Sequence, residues 1–183
     1  QKGALVVGVV ARLVEDKGHE YLMRAVAELK DEFSNLPLLI VGDGRTRHGL
    51  EKLGAELGLH KRVIFTGNVK DVTYPLSAMD IFVLPATWRE GFGLSIIEAM
   101  ACRKPIIVTN IWALNTLIQD GVTGIMVNPK DVEAISNALR KFLSNPVFRE
   151  EIARNGQKMV EQRFSIYRMA REMADVYASV LKR

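Results

Sequence analysis

Six short runs rich in Val and Ile, separated by amphipathic stretches, predict an α/β domain built on a doubly wound parallel sheet with helices on both faces. The apolar runs are continuous rather than alternating, as expected of strands covered on both sides. Between the first two runs Tyr21, Leu22, Ala25, Val26, Leu29 and Phe33 recur at steps of three and four, which defines a helix with one buried face and therefore a βαβ unit. No internal repeat, low-complexity tract or linker interrupts the alternation, so residues 1–183 read as a single domain.

In chain order the expected strands are Ala4 to Ala11, Leu36 to Val41, Val63 to Phe65, Ile81 to Leu84, Pro105 to Val108 and Gly124 to Val127. After the first helix, further helices are expected over Arg45 to Leu57, Val72 to Ala78, Leu94 to Ala101, Ala113 to Gln119, Val132 to Leu143, Val147 to Gln162 and Ile166 to Leu181. Asp131 and Ser165 suit N-caps, whose side-chain oxygens accept from free helix-start N–H groups, and Pro146 suits a first turn that needs no donor. Six strands with intervening helices predict the order 3-2-1-4-5-6. Strands one and four are then neighbours at the switch point, where ligands of open parallel sheets collect beyond the strands' carboxyl ends.

With 48% hydrophobic and 25% charged residues among 183, the chain can bury a sizeable core. No run approaches the roughly 18 apolar residues that span a bilayer, and no charged-then-apolar leader opens the sequence. A single cysteine, Cys102, excludes an internal disulfide and a cysteine zinc cluster, which agrees with a cytoplasmic location; Cys102 itself reads as a buried helix residue. The formal charge of +4 does not imply nucleic acid, although it suits an anionic ligand or an acidic lipid surface.

The chemistry concentrates in two loops. After the first strand come Arg12, Lys17 and Gly18; after the fourth come Glu90, Gly91, Phe92 and Gly93, with Glu98 further on in the helix. Arg12 offers a planar fork and Lys17 a flexible point charge, a pair able to neutralise a departing diphosphate, while Gly18 keeps the approach uncluttered. The helix expected from Gly93 or Leu94 presents free N–H groups and a positive dipole end to an anion. Glu90 and Glu98 flank that start as acceptors for sugar hydroxyls. The eight-residue step from one to the other covers about 12 Å if helical, the scale from a ribose to a hexose across a diphosphate. Taken singly each of these residues is unremarkable: a solvated charge, a loop carboxylate, a carboxylate near a helix start. The glycines at 91 and 93 favour a ligand site through positive φ or close backbone approach, with Phe92 between them anchoring the turn in the core.

Other features point elsewhere only weakly. The VGDG at Val41 to Gly44 lacks the third glycine of a dinucleotide fingerprint, where Arg47 stands, and follows the second strand, which argues against a nicotinamide-dependent oxidoreductase. Gly42 and Gly44 instead let the chain turn while open to a ligand. His19, His48 and His60 have no metal-ligand spacing and read as surface residues. No Asp-x-Asp occurs, so a divalent cation has no evident clamp and neither metal nor cofactor is expected.

These residues together resemble the C-terminal, donor-binding half of the family-four retaining glycosyltransferases of GT-B architecture. The likeness runs through GVVARLVEDKG (Gly8 to Gly18), LLIVGDG (Leu38 to Gly44), VIFTGNV (Val63 to Val69) and DIFVLPATWREGFGLSIIEAMACRKP (Asp80 to Pro105). It implies a Rossmann-like domain forming one half of a GT-B fold, with an N-terminal acceptor-binding domain outside this sequence. It further implies metal-independent transfer from a UDP-, GDP- or ADP-sugar with retention, an activity this domain alone would not complete. By the same likeness Arg12 and Lys17 bind the diphosphate, Glu90 the transferred sugar and Glu98 the ribose hydroxyls. Phe92, Gly93, Leu94 and Ser95 line phosphate and sugar through backbone N–H groups, and Gly67 and Val69 lie near the base.

The sequence departs from the family pattern at Trp112, Ala113 and Thr116, where two glycines and a glutamate are usual, and at Arg103 and Lys104, where a glycine and a small polar residue are usual. Both departures bear on donor choice; Trp112 either narrows the pocket or packs on the absent partner. The last helix usually crosses toward that partner, with Met169, Met173, Val176 and Val180 on the face concerned, although packing on its own domain accounts for them equally well. The full-length enzyme is compatible with peripheral membrane association. The alternative is a nucleotide-sugar binding module that performs no chemistry.

Overall fold

The computed structural model describes residues 4–59, 61–88 and 90–181. In chain order the elements are β1 (Val7–Val10), a 3-10 turn (Glu15–Lys17), α1 (His19–Glu28), β2 (Leu38–Val41), α2 (Arg47–Glu56), β3 (Val63–Gly67), α3 (Thr73–Ala78) and β4 (Ile81–Leu84). There follow α4 (Leu94–Ala101), β5 (Ile106–Thr109), β6 (Ile125–Val127), α5 (Val132–Ser144), α6 (Pro146–Arg163) and α7 (Ile166–Leu181). The strands form one parallel sheet in the order β3-β2-β1-β4-β5-β6. This is the order expected from the sequence, with β1 and β4 adjacent where the winding reverses. Helices cover both faces, α1 packing on α5 and α4 on α6. No helix of the described residues is long and apolar enough to cross a membrane.

The central strands β2, β4 and β5 are buried at every residue, and Phe82, Ile40 and Ile107 sit in the core between the helical layers. β3 differs: Ile64 and Thr66 face out while Val63 and Phe65 are half-buried. Its position at the edge of the sheet leaves one face uncovered, so the alternation absent from the other strands appears here. β1 starts at Val7 rather than Ala4, because the Val6 N–H donates to the Asp80 carboxylate at 2.8 Å instead of joining the ladder.

Capping follows local chemistry. The Asp131 carboxylate accepts from Ala134 N–H and the Ser165 hydroxyl from Arg168 N–H, as anticipated. Asn145 caps α6 in the same way, with Pro146 in the first turn. Three expectations fail. Ala113 to Gln119 is a stack of turns rather than a helix: Leu114, Leu117 and Ile118 are buried at helical spacing, but the backbone bonds converge on just two carbonyls, Ile111 O accepting from Leu114 and Asn115 and Leu114 O from Leu117 and Ile118, so two separate turns form. Cys102 is half-buried and lies just past α4, not within it. His19 is buried, with 2% of its surface exposed, whereas His48 is exposed as expected and His60 lies outside the described residues.

Arg103 and Lys104 have structural explanations. Arg103 follows α4 with φ 55°, the left-handed conformation in which a glycine is free of Cβ strain, and its guanidinium reaches Glu150. The Lys104 ammonium donates to the carbonyls of Ser77 and Met79 at 3.3 and 2.6 Å, satisfying the end of α3. Both residues thus terminate helices. Because an exposed ion pair such as Arg103–Glu150 contributes little, Arg103→Gly should raise stability by about 0.5–1 kcal/mol in urea unfolding through relief of the left-handed backbone. An unchanged or lower value would contradict this.

Both ring nitrogens of His19 are buried without a partner among the described residues. Burial, reinforced by the neighbouring Lys17 charge and opposed by Asp16, pushes the imidazole pKa down from 6.5 to about 4. The unfolded chain therefore takes up a proton between these values that the folded state refuses. The resulting stability is fully present above pH 6.5 and is lost as pH falls toward 4, by about 3 kcal/mol in all. His19→Leu should flatten the pH dependence of unfolding free energy across that window; a slope equal to that of the parent protein would contradict the assignment.

Candidate functional site

The site begins where β1 and β4 run side by side. The loops leaving them, residues 11–18 and the described residues of 85–93, meet along a seam. Thr87 N–H donates to Asp16 O at 2.8 Å, and the Lys17 ammonium donates to Glu90 Oε2 at 2.6 Å. These two side chains are 13% and 16% exposed, so the pair is largely withdrawn from water. Gly18 completes the seam. It has φ 68°, caps α1, and an added Cβ would stand 2.0 Å from the Pro85 carbonyl oxygen. The sequence reading of Gly18 as clearance for a ligand is therefore revised: it is buried, and what approaches it is the other loop. Behind the seam the Thr109 hydroxyl donates to Ala86 O at 2.6 Å and ties the end of β5 to the same loop.

Gly93 starts α4 in the left-handed conformation, φ 75°, packed against Ile96 and Leu114. Among the described residues the N–H groups of Leu94 and Ser95 have no protein acceptor, since the first bonds back to Gly93 O come from Ile96 and Ile97. This leaves two donors and the positive helix end beside the loop that carries Glu90. Gly91 has neither a positive φ nor any atom within 4 Å of the place a Cβ would take, so backbone geometry requires glycine only at 93. Phe92 does not anchor the turn in the core. It is more than half exposed and stacks edge-to-face on Phe164 with ring centroids 5.7 Å apart.

Arg12 is exposed, and its side chain makes no hydrogen bond to the described residues. Beside it Gly42 packs on the Ala11 carbonyl, 2.1 Å from an added Cβ, and donates to Gly67 O at 3.0 Å. The turns after β1, β2 and β3 are thus in contact, and Gly42 serves that contact as well as its turn. Gly67 has φ 71° and Val69 follows it at the surface. Glu98 opens onto a recess of about 440 Å³ shared with Lys70, Asp71, Val72 and Thr73, so it faces the segment between β3 and α3. Partial burial raises its pKa above the usual carboxylate value. Glu90 thus turns toward the β1 loop and Glu98 toward the β3 side.

Chemically, the arrangement joins an ammonium, a guanidinium and a free helix start, all suited to phosphate, with two carboxylates suited to hydroxyl donors. The sequence reading missed Asp16, Thr87 and Thr109, which hold the seam through backbone or hydroxyl bonds that leave no local pattern. It also placed no weight on Phe164, which with Phe92, Leu94, Ile166, Met169 and Met173 lines an apolar groove of about 740 Å³. Trp112 is 88% exposed beyond β5.

Residues 1–159 match the family described as "Glycosyl transferases group 1". The chain is 33% identical over 177 residues to an alpha-D-kanosaminyltransferase of Streptomyces kanamyceticus, covering 96% of this chain and 46% of the relative. It is 33% identical over 178 residues to the capsular polysaccharide biosynthesis glycosyltransferase CapM of Staphylococcus aureus, covering 97% and 47%. Among solved structures it resembles Anabaena Alr3699/HepE in complex with UDP, with TM-score 0.90, 28% identity, and coverage of 96% of this chain and 49% of that one. The C-terminal domain of the group 1 protein LpcC from Francisella tularensis superposes with TM-score 0.81 at 28% identity, covering 88% and 87%. The chain thus spans about half the length of the relatives it matches and most of a C-terminal domain solved by itself. It belongs to the group 1 glycosyl transferases, as a C-terminal, Rossmann-like domain of GT-B architecture.

Proposed function

We propose that this domain holds the donor of a retaining, metal-independent glycosyl transfer, whose acceptor is bound by the other half of the whole protein. The observation that carries the reading is the seam itself, where Lys17 and Glu90 meet in a largely buried pair beside the N–H groups of Leu94 and Ser95, which have no acceptor among the described residues. A nucleoside diphosphate sugar has the matching sequence of groups. Its diphosphate suits Arg12, Lys17 and the α4 start; its sugar hydroxyls suit Glu90; its ribose hydroxyls suit Glu98 at the edge of the β3-side recess. Gly67 and Val69 then lie on the side of the base, with Gly42 beneath, and Phe92 contributes through its backbone, since its ring turns to Phe164.

Leaving-group stabilisation is the main catalytic contribution in this reading. Arg12 and Lys17 neutralise the diphosphate as the glycosidic bond breaks, the work a metal ion does elsewhere. Support for a nucleotide ligand comes from the Anabaena neighbour, solved with UDP and with UDP-glucose. A mycobacterial relative, 32% identical over 149 residues, is GDP-mannose-dependent by name, so the base varies among relatives. The apolar face of α7, which has no buried residue, and its groove with Phe92 and Leu94 form the surface that the acceptor half covers.

Two outcomes test the site. Arg12→Ala and Lys17→Ala should each weaken the preferred nucleoside diphosphate by about 10- to 100-fold in calorimetry while leaving the nucleoside within about twofold, since a charge-assisted hydrogen bond is lost only from the former. Equal losses for both ligands would contradict the assignment. Glu98→Ala should abolish discrimination between ribose and 2′-deoxyribose nucleotides, and retained discrimination would remove its role. Product analysis with the whole protein tests transfer: an anomeric configuration that matches the donor supports retention, and binding without turnover supports a non-catalytic module.

A further inference from the structure

The proposed ligands of phosphate and sugar are, in this structure, ligands of one another. Lys17 Nζ lies 2.6 Å from Glu90 Oε2, and the other carboxylate oxygen accepts from Gly91 N–H at 3.2 Å. The pair is held from both sides by the bond from Thr87 N to Asp16 O and by Gly18 seated on Pro85. Resting on the donor-site reading above, we infer that the Lys17–Glu90 pair is an exchange latch that selects an intact nucleotide sugar over the free diphosphate left after transfer.

A diphosphate arriving alone competes with Glu90 for the ammonium and strands a poorly hydrated carboxylate beside its own negative charge. This opposes binding. An intact donor brings both replacements at once: phosphate oxygens take the ammonium, and sugar hydroxyls donate to the released carboxylate. Each side chain then exchanges one partner for another, and neither the ammonium nor the carboxylate is left without a hydrogen bond. After transfer the sugar is gone, Glu90 again lacks a donor, and reclosure of the pair favours release of the nucleoside diphosphate. The latch thus tunes specificity and product release, separately from any stabilisation of the reacting centre.

Inorganic pyrophosphate is the probe, because it carries the diphosphate without base or sugar. Titrated calorimetrically into the protein, it should bind about tenfold more tightly to Glu90→Gln and Glu90→Ala than to the parent, the scale of one charge-assisted hydrogen bond. That gain should shrink in a Lys17→Met background to what like-charge repulsion alone supplies, because no latch remains to open. A gain of undiminished size beside Lys17→Met would mean a simple field effect and would overturn the latch. So would unchanged or weaker affinity in both Glu90 variants, including an absence of detectable binding throughout. If Arg12→Ala and Lys17→Met leave pyrophosphate affinity at the parent value, the donor-site reading fails instead. With UDP-glucose and UDP as a second pair of probes, or the GDP or ADP equivalents, the parent's preference for the sugar-bearing form should shrink about tenfold in Glu90→Ala; an undiminished preference would overturn the proposal.

Discussion

The contact between the β1 loop and the β4 loop organises everything that this domain offers to a ligand. It depends on Lys17 and Glu90, 73 residues apart in sequence, meeting in a cleft where neither is well hydrated. A buried ion pair is an uncertain source of stability, since the desolvation of both groups offsets much of their attraction. Its value here is positional. The pair, the Asp16–Thr87 backbone bond and the Gly18–Pro85 packing fix the relative register of two loops that no β-ladder connects. An ammonium and a helix start are thereby held beside a carboxylate before any ligand arrives, which reduces the entropy cost of assembling them around one.

The scaffold beneath follows from general rules. Fully apolar strands require cover on both faces, right-handed crossovers supply it, and reversal of the winding leaves β1 and β4 as neighbours with the loops at their carboxyl ends side by side. Main-chain turns are therefore brought close together there, and three glycines act in that setting: Gly18 against Pro85, Gly42 against Ala11, and Gly93 at the start of α4. A side chain at either of the first two positions would drive apart loops that carry proposed ligand groups. Glycine in these loops is thus as much a requirement of loop-to-loop contact as of turn conformation.

Much of this was legible in the sequence because it rests on periodicity and composition. The strand order followed from six apolar runs and their intervening helices, and the caps at Asp131 and Ser165 from residue chemistry alone. What escaped depends on tertiary surroundings. His19 lies in a helix whose polar neighbours suggest the surface, yet its position at the first turn directs it inward. Phe92 looked like a core anchor because large aromatics usually are, but the helix start beneath it presents it to Phe164 and α7. The turns at 113–119 have helical spacing without continuous helical bonding. Arg103 and Lys104 seemed to bear on the ligand, whereas the structure assigns both to the ends of helices. The Lys17–Glu90 contact had no local signal; only the expected adjacency of β1 and β4 pointed toward it.

The central claim is that a diphosphate occupies the seam. It is tested most directly by amide chemical shifts in the protein titrated with a nucleoside diphosphate. The account requires the largest changes at the N–H groups of Leu94 and Ser95 and in the segment from Arg12 to Gly18, saturating together. Saturable shifts confined to another face, such as the groove between α1 and α2 lined by Arg24, Arg45 and Lys52, with Leu94 and Ser95 unmoved, would contradict it.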